Sequence, residues 1–115
     1  MKSNSKAKLL RIFVGEKDKH GSVGLYEKIV VEARKSGLAG ATVYRGIMGY
    51  GNNSRIHTSK ILRLSEDLPL VIEIVDTEEN VTEFIPKVEK IFEESNCGGL
   101  ITTEAAEIIK YTSTK

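Results

Sequence analysis

Leu70-Val-Ile-Glu-Ile-Val75 is a short run of apolar, mostly β-branched residues, which is typical of a buried β-strand. Acidic residues follow at 76–79, where the dipole of a helix N-terminus favours negative charge. Beyond them, apolar side chains recur at the spacing of an amphipathic helix. Pro86 lies inside this stripe without changing its phase, so we expect one helix, kinked at Pro86. The stripe comprises Val81, Phe84, Ile85, Val88, Ile91 and Phe92.

A strand and a helix also follow one another near the start of the chain. Residues 8–15 predict a strand with apolar side chains on both faces. The next helix is expected to have Ser22 as its N-cap and to run to about Ser36. Gly37 then suits the left-handed position after a helix end.

Three further segments complete the pattern of elements. Residues 41–47 predict a second strand, and residues 59–64 a short extended piece. Residues 100–103 predict the last strand, and residues 105–111 either extend it or form a tail element.

The order β-α-β-β-α-β predicts the fold class α+β. Two split βαβ units in this order build a ferredoxin-like sandwich, in which two helices cover one face of an antiparallel sheet. The strands are apolar on both sides, and strands with this pattern are usually buried on both faces. We therefore expect other copies of the chain to cover the open face.

The chain of 115 residues is long enough for one domain, which we assign to residues 8–115 after a flexible tail at 1–7. It has no apolar run of the ~20 residues that span a bilayer and no signal-peptide pattern, so we expect no membrane insertion. The single cysteine, Cys97, excludes an internal disulfide and suits a reducing cytoplasm. The expected location is therefore cytoplasmic.

Charge is distributed unevenly along the chain. Residues 33–65 contain six Lys or Arg and no acid, whereas residues 66–107 contain twelve acids and two Lys. This separation indicates anion binding at the basic end, complementary contacts between subunits, or two solvated faces of opposite sign.

Arg45 and the centre of the basic segment that follows it, Gly46–Lys60, supply a set of candidate anion ligands. Arginine binds phosphate or carboxylate with a fork of N–H groups, and histidine and lysine add further donors. The glycines either allow a turn or let the backbone approach an anion closely. The candidates are Arg45, Gly46, Gly49, Gly51, Arg55, His57 and Lys60.

Other classes of function lack a signal in the sequence. His20, His57 and Cys97 show no paired spacing of the kind that a closed metal site needs. No nucleophile motif is present, and we therefore predict that the protein is not an enzyme. The near-neutral net charge and the acidic second half argue against nucleic-acid binding.

Nearly the whole chain, from Lys8 to about Ile109, resembles the PII-like signalling proteins. The closest resemblance is to the branch catalogued as domain-of-unknown-function family one-ninety. The motifs that carry it are Leu25-Tyr-Glu-Lys-Ile29, Ala33-Arg34, Gly37-Leu-Ala-Gly40-Ala-Thr-Val43, Arg45-Gly-Ile-Met-Gly49-Tyr-Gly51, Ile56-His-Thr58, Leu64-Ser-Glu-Asp-Leu-Pro69, Val71-Ile-Glu-Ile-Val-Asp76, Phe84-Ile-Pro86 and Gly99-Leu-Ile-Thr102.

The resemblance implies a cytoplasmic homotrimer that binds an adenine nucleotide or a similar small anion in clefts between subunits. The loop at 49–60 would then report the bound state to a partner such as a channel, a transporter or an enzyme. PII proteins carry a longer phosphate loop where this chain has only residues 95–100. The resemblance therefore implies that the turn with Gly98 and Gly99 binds phosphate groups more weakly than the longer loop does. Such a turn suits a nucleotide with fewer phosphates or another anion.

An alternative of the same fold is a trimeric, metal-binding protein of the cation-tolerance type. That alternative predicts uptake of a divalent metal that depends on His57 or Cys97.

Overall fold

The computed structural model describes residues 6–50 and 68–112, and within them the chain forms six strands and two helices. Three long strands and two helices form most of the described part of the chain, and a hairpin of two short strands precedes the first helix. In chain order the elements are β1 (Lys6–Gly15), β2 (Lys19–His20), β3 (Val23–Gly24), α1 (Leu25–Lys35), β4 (Thr42–Arg45), β5 (Pro69–Thr77), α2 (Glu78–Ser95) and β6 (Leu100–Glu107).

The main sheet has the strand order β4-β5-β1-β6, and every neighbouring pair is antiparallel. β1 is central, since Ile12 lies opposite Ile72 of β5 on one side and Ile101 of β6 on the other. This is the ferredoxin-like topology predicted from the order of the elements, and the prediction is confirmed.

One face of the sheet forms the core with the two helices. The register places Leu10 opposite Ile74 and Val14 opposite Leu70, so that their side chains share the helix-covered face. The helices bury their apolar stripes against these strands. The buried helical residues are Leu25, Ile29, Ala33, Val81, Phe84, Val88 and Ile91.

α2 continues through Pro86 as a single helix from Glu78 to Ser95, as predicted. Proline lacks the N–H that would bond the carbonyl four residues earlier, here that of Thr82. Both Thr82 and Pro86 are exposed, so water can satisfy the carbonyl that loses its partner. The apolar stripe on the opposite side keeps its core contacts.

The prediction of Ser22 as the N-cap of the first helix is wrong. Ser22 lies in the turn of the β2–β3 hairpin beside Gly21, whose φ is +66°. The N-cap is Gly24, which makes no side-chain capping bond, and the Leu25 N–H donates instead to the Asp18 carbonyl at 2.8 Å. At the other end, Gly37 has a φ of +82°, and its predicted left-handed conformation is confirmed.

Asp76, expected to begin the second helix, instead ends the preceding strand as a buried carboxylate. It is 2% exposed and accepts hydrogen bonds from the Ala39 N–H at 2.8 Å, the Thr77 N–H at 2.7 Å and the Asn80 amide at 2.9 Å. Thr77 is the N-cap, and its hydroxyl accepts from the Asn80 N–H. Asp76 therefore ties the chain before β4 to the start of α2.

The remaining boundaries differ only modestly from those expected. β4 is shorter than the predicted 41–47. The last strand runs on to Glu107, so residues 105–107 extend it and residues 108–111 do not. The extended piece predicted at 59–64 lies outside the described residues.

Candidate functional site

One end of the sheet collects several residues that the sequence nominated as ligands. Antiparallel pairing brings the last residues of β1 and β4 to the same end as the first residues of β5. Gly15 lies opposite Pro69, and Arg45 lies opposite Leu70. Arg45, Gly46 and Gly49 therefore come together at this end of the sheet, where the described chain leaves at Tyr50 and returns at Leu68.

Arg45 is held by an ion pair with Glu16, the residue after β1. The guanidinium Nη2 donates to Oε2 of Glu16, whose side chain is 24% exposed against 62% for Arg45. The backbone reinforces this arrangement on both sides. The Glu16 N–H donates to the Leu68 carbonyl at 2.8 Å, and the Gly46 N–H donates to the Pro69 carbonyl at 2.7 Å.

Gly46 and Gly49 have a packing role that the sequence did not distinguish from ligand binding. A Cβ on Gly46 would lie 2.8 Å from Cγ of Pro69, and one on Gly49 would lie 3.0 Å from the same atom. Only glycine allows the departing chain to pack this closely on Pro69. Because the Gly46 N–H is bonded to Pro69, it is not free for an anion in this conformation.

Gly98 and Gly99 lie at the same end of the sheet as Arg45 but at the opposite edge, immediately before β6. Three strand spacings of ~4.8 Å separate β4 from β6, so about 14 Å lies between this turn and Arg45 in one chain. A Cβ on Gly99 would lie 2.6 Å from Cζ of Phe92 and 2.8 Å from the Phe13 carbonyl oxygen. Gly99 therefore has a packing role of its own.

The surroundings of this turn are electronegative. A cavity of about 680 Å³ lies against Gly98 and Gly99, and Glu89 and Glu93 also line it. The C-terminal end of α2, with Asn96 as its left-handed C-cap, adds partial negative charge here. The charges of this one chain therefore favour an anion near Arg45 over an anion at Gly98.

Four of the nominated ligands, Gly51, Arg55, His57 and Lys60, lie outside the described residues. Their part in the site stays a prediction.

The hairpin is fastened to the end of α2 by polar contacts. His20 Nε2 lies 3.1 Å from Oε1 of Glu94, and the hydrogen bond with His20 lowers the pKa of that carboxyl. The thiol of Cys97 lies 3.6 Å from the Lys19 carbonyl oxygen. Both contacts hold the β2–β3 hairpin in place. The contact of Cys97 is therefore structural, because it helps to attach the hairpin to the end of α2.

A second feature is the sheet face that the helices leave uncovered, which we call the open face. Its apolar side chains surround a polar centre and include several with substantial exposure, among them Tyr44 (51%), Val75 (42%) and Leu100 (55%). Leu9 lies opposite Val75, and Phe13 lies opposite both Val71 and Leu100. The apolar side chains of the open face are Leu9, Phe13, Tyr44, Val71, Val75 and Leu100.

Sequence reasoning missed the polar centre of this face, which is built around Arg11. Its Nε donates to Glu73 at 2.9 Å and its Nη1 to Glu104 at 2.5 Å, so that one guanidinium joins three strands. The Tyr44 hydroxyl, on the fourth strand of the sheet, also interacts with Glu73. The only sequence signal was a charged residue at the middle of two otherwise apolar strands.

These contacts shift the pKa values of the groups involved. The hydrogen bond from Arg11 is the main cause that lowers the pKa of Glu73, with a smaller contribution from Tyr44, while desolvation opposes both. Hydrogen bonds to Glu73 and Glu104 raise the pKa of Arg11, and the bond to Glu73 raises the pKa of Tyr44. Glu73 is therefore held as a carboxylate.

Two absences concern the described residues alone. In residues 6–50 and 68–112, no group of three or more His, Cys, Asp or Glu side chains is placed to hold a metal ion. Neither α1 nor α2 is long and apolar enough to cross a bilayer.

Known proteins of similar fold were found by comparison of structures. A nitrogen regulatory PII-like protein, CPII from Thiomonas intermedia K12, bound to ADP, AMP and bicarbonate, matches with a TM-score of 0.66 and 17% identity over 91% of this chain and 90% of that one. A putative PII-like signalling protein from Thermus thermophilus matches with a TM-score of 0.62 and 16% identity over 91% of each chain. At these identities the likeness shows the fold, which is PII-like and ferredoxin-like.

Sequence relatives are closer. A UPF0166 protein of Aquifex aeolicus is 38% identical over 104 residues, covering 90% of this chain and 94% of its own. A UPF0166 protein of Methanocaldococcus jannaschii is 40% identical over 99 residues, covering 86% and 89%. The model of the DUF190 family, described as "Uncharacterized ACR", matches residues 7–108. The chain therefore belongs to the DUF190 (UPF0166) family.

Proposed function

We propose that this protein is a regulatory trimer that binds an adenine nucleotide or a similar small anion in clefts between copies. It acts by binding, not by catalysis, and it signals to a protein partner through residues 49–60. The observation that carries the proposal is the open face, an exposed apolar sheet surface with an ionic centre. It occurs on a fold shared with a nucleotide-bound PII-like protein.

The open face supports the assembly of copies. Exposed apolar surface on a sheet is unfavourable in water, and covering it removes that cost. Tyr44 and Leu100 stand at opposite edges of the sheet, and both are about half exposed, so that a partner copy would have apolar contacts across its whole width. The Arg11 centre carries both charge signs, which favours one relative orientation of the copies over others.

The sheet end at Arg45 supports the anion site. Among the described residues of the basic segment, Arg45 is the arginine that lies at this end of the sheet. Its side chain is 62% exposed. Gly98 and Gly99 lie about 14 Å away in the same chain by strand spacing, too far for both groups to contact one phosphate, so we propose that the groups that meet at one phosphate come from neighbouring copies. CPII, of the same fold, is bound to ADP, AMP and bicarbonate, and this supports the choice of ligand class.

The proposed signalling role rests on the exposed apolar residues that follow Arg45 in the chain. Ile47, Met48 and Tyr50 follow it with exposures of 94%, 67% and 73%, so large apolar side chains stand in solvent immediately before residue 51. Aromatic residues and methionine are enriched in protein–protein interfaces. The proposed partner is a membrane transporter or channel, or an enzyme.

The test is a thermal-shift panel of ADP, AMP, ATP, bicarbonate and divalent metals, together with light scattering. A ligand at a hundred times its dissociation constant adds ~2.7 kcal/mol, a shift on the order of ten degrees for a domain of this size. Light scattering is expected to give three times the chain mass of 12.7 kDa. A monomer without any nucleotide or anion shift would overturn the proposal, and a shift with metals alone would favour the cation-tolerance alternative.

A further inference from the structure

In the proposed function, Arg45 binds the ligand anion. In the structure, its guanidinium is already paired with a carboxylate of the same chain. Its Nη2 donates to a carboxylate oxygen of Glu16. A carboxylate offers oxygen acceptors to a guanidinium just as a phosphate does. A ligand anion that approaches Arg45 must therefore replace Glu16 or share the guanidinium with it.

The position of Glu16 is fixed by the sheet and does not depend on the ion pair alone. Glu16 follows Gly15, which is paired with Pro69 across β1 and β5, and its own N–H donates to the Leu68 carbonyl at 2.8 Å. Its side chain is 24% exposed. The carboxylate is therefore presented to Arg45 by a backbone that is held in place, which raises its local concentration at the guanidinium.

The same ion pair joins the two ends of the chain at this site. Arg45 precedes Gly46, whose N–H donates to the Pro69 carbonyl at 2.7 Å, and Glu16 carries the contact to Leu68. One contact between side chains thus links the backbone that departs at Gly46 to the backbone that returns at Leu68. Loss of the pair would remove the side-chain contact between these ends and leave strand pairing, packing on Pro69 and the two backbone hydrogen bonds to hold them.

We propose that Glu16 is a built-in competitor for the anion at Arg45, and that its displacement loosens the contacts at Gly46 and Leu68. This inference rests on the proposed function, because it takes Arg45 as a ligand residue. It goes further in naming the residue through which binding of the anion is transmitted to the ends of the segment that contains residues 51–67. Glu16 acts through Arg45 and is a positioning residue.

The expected size of the effect follows from the exposure of the pair. Ion pairs that are this open to solvent contribute little, and competition from such a pair weakens a ligand by between about 1.5-fold and fivefold. The sign is what distinguishes the proposal. Loss of a merely structural contact at a binding site lowers affinity, whereas loss of a competitor raises it.

The experiment measures ADP binding, with inorganic phosphate as a second probe, by calorimetry on the intact protein and on three variants. Glu16→Gln removes the competing charge, Arg45→Ala removes the ligand residue, and Glu83→Gln removes the same charge from an exposed position on α2. E16Q is expected to bind ADP about 1.5-fold to fivefold more tightly. E83Q is expected to bind as the parent does, and R45A more weakly.

Amide hydrogen exchange gives a second readout that does not depend on affinity. Without ADP, the Gly46 amide of E16Q is expected to exchange faster than in the parent, at about the rate seen in the parent saturated with ADP. If the parent binds ADP and R45A binds it more weakly, while E16Q binds no more tightly than the parent, the competitor role alone is wrong. If none of the four proteins binds ADP or phosphate, the competitor role is wrong, and the proposed function is wrong as well if the thermal-shift panel shows no other nucleotide or anion ligand.

Discussion

Arg11 lies directly opposite Glu73 in the register of β1 and β5, and its Nε donates a 2.9 Å hydrogen bond to the Glu73 carboxylate. The pair stands at the middle of a sheet face that is otherwise mostly apolar. Its second bond, to Glu104, makes Arg11 the group that balances two carboxylates. Removal of Arg11 would leave both acids without their cation.

Arg11→Met is therefore expected to weaken the proposed trimer. In the proposed assembly the face would be covered, and loss of one partner of a covered ion pair costs about 3–5 kcal/mol because the remaining charge has no partner. The triple variant R11M/E73Q/E104Q removes the charges together and is expected to assemble better than R11M. Analytical ultracentrifugation over a range of concentrations measures both. Equal dissociation of R11M and the parent would show that the open face is not the contact surface.

The stability of the protein is expected to fall in acid partly because of Glu73. Its pKa is lower in the folded protein than its ordinary value of 4.5, so the folded state binds fewer protons than the unfolded state. The contribution of this group is complete above pH 4.5 and is lost as the pH falls through the folded pKa. Urea unfolding across the acid range, from neutral pH to well below the ordinary pKa, is expected to show a smaller loss for Glu73→Gln. A pH profile of E73Q that parallels the parent would contradict this expectation.

Gly99→Ala is expected to destabilise the protein by about 1–3 kcal/mol, because its Cβ would overlap Phe92 and the Phe13 carbonyl oxygen. Gly40→Ala is the matched control, since a Cβ at Gly40 meets nothing within 4 Å and its φ is not positive. That change is expected to be neutral or to stabilise by up to about 1 kcal/mol. Chemical denaturation with both variants gives the comparison, and equal stabilities would show that the 96–99 turn can move aside.

Asp76→Ala is expected to cost more than loss of the adjacent helix cap. The part-buried hydrogen bonds from the Ala39 N–H, the Thr77 N–H and the Asn80 amide would be lost, and a hydrogen bond to a charged group contributes about 1.5–3 kcal/mol. Thr77→Ala removes one capping bond and is expected to cost about 1 kcal/mol. Denaturant unfolding ranks the two, and a larger loss for T77A would show that Asp76 is not the main fastening of this corner.

The sequence was sufficient for those elements whose apolar pattern is strong. The Leu70–Val75 strand and the helix through Pro86 carry regular spacing, and the order of elements then limits the topology to very few choices. The β2–β3 hairpin was missed because its strands are two residues long and mostly polar, so that no periodicity marks them. The misplaced N-cap followed directly from that omission.

The site could be predicted only in outline. Arg45 was nominated from the charge of its neighbours along the chain, but its partner Glu16 lies 29 residues away in sequence. Arg11 and Glu73 were not singled out, because which residues face one another depends on strand register, and a shift of one residue would separate them. Both pairs are contacts between segments that are distant in sequence, and the local sequence pattern does not indicate such contacts.

The central position of β1 has a consequence for how the chain acquires its structure. At Arg11 the strand partners of β1 are Glu73 and Thr102, both far downstream in sequence, so nearly all of the backbone hydrogen bonds of β1 close large loops. Topologies dominated by such distant pairings fold slowly, since the entropy of loop closure is lost before the contacts form. During synthesis, the sheet stays incomplete until residue 107 has left the ribosome, and until then β1 has an unpaired edge on the β6 side.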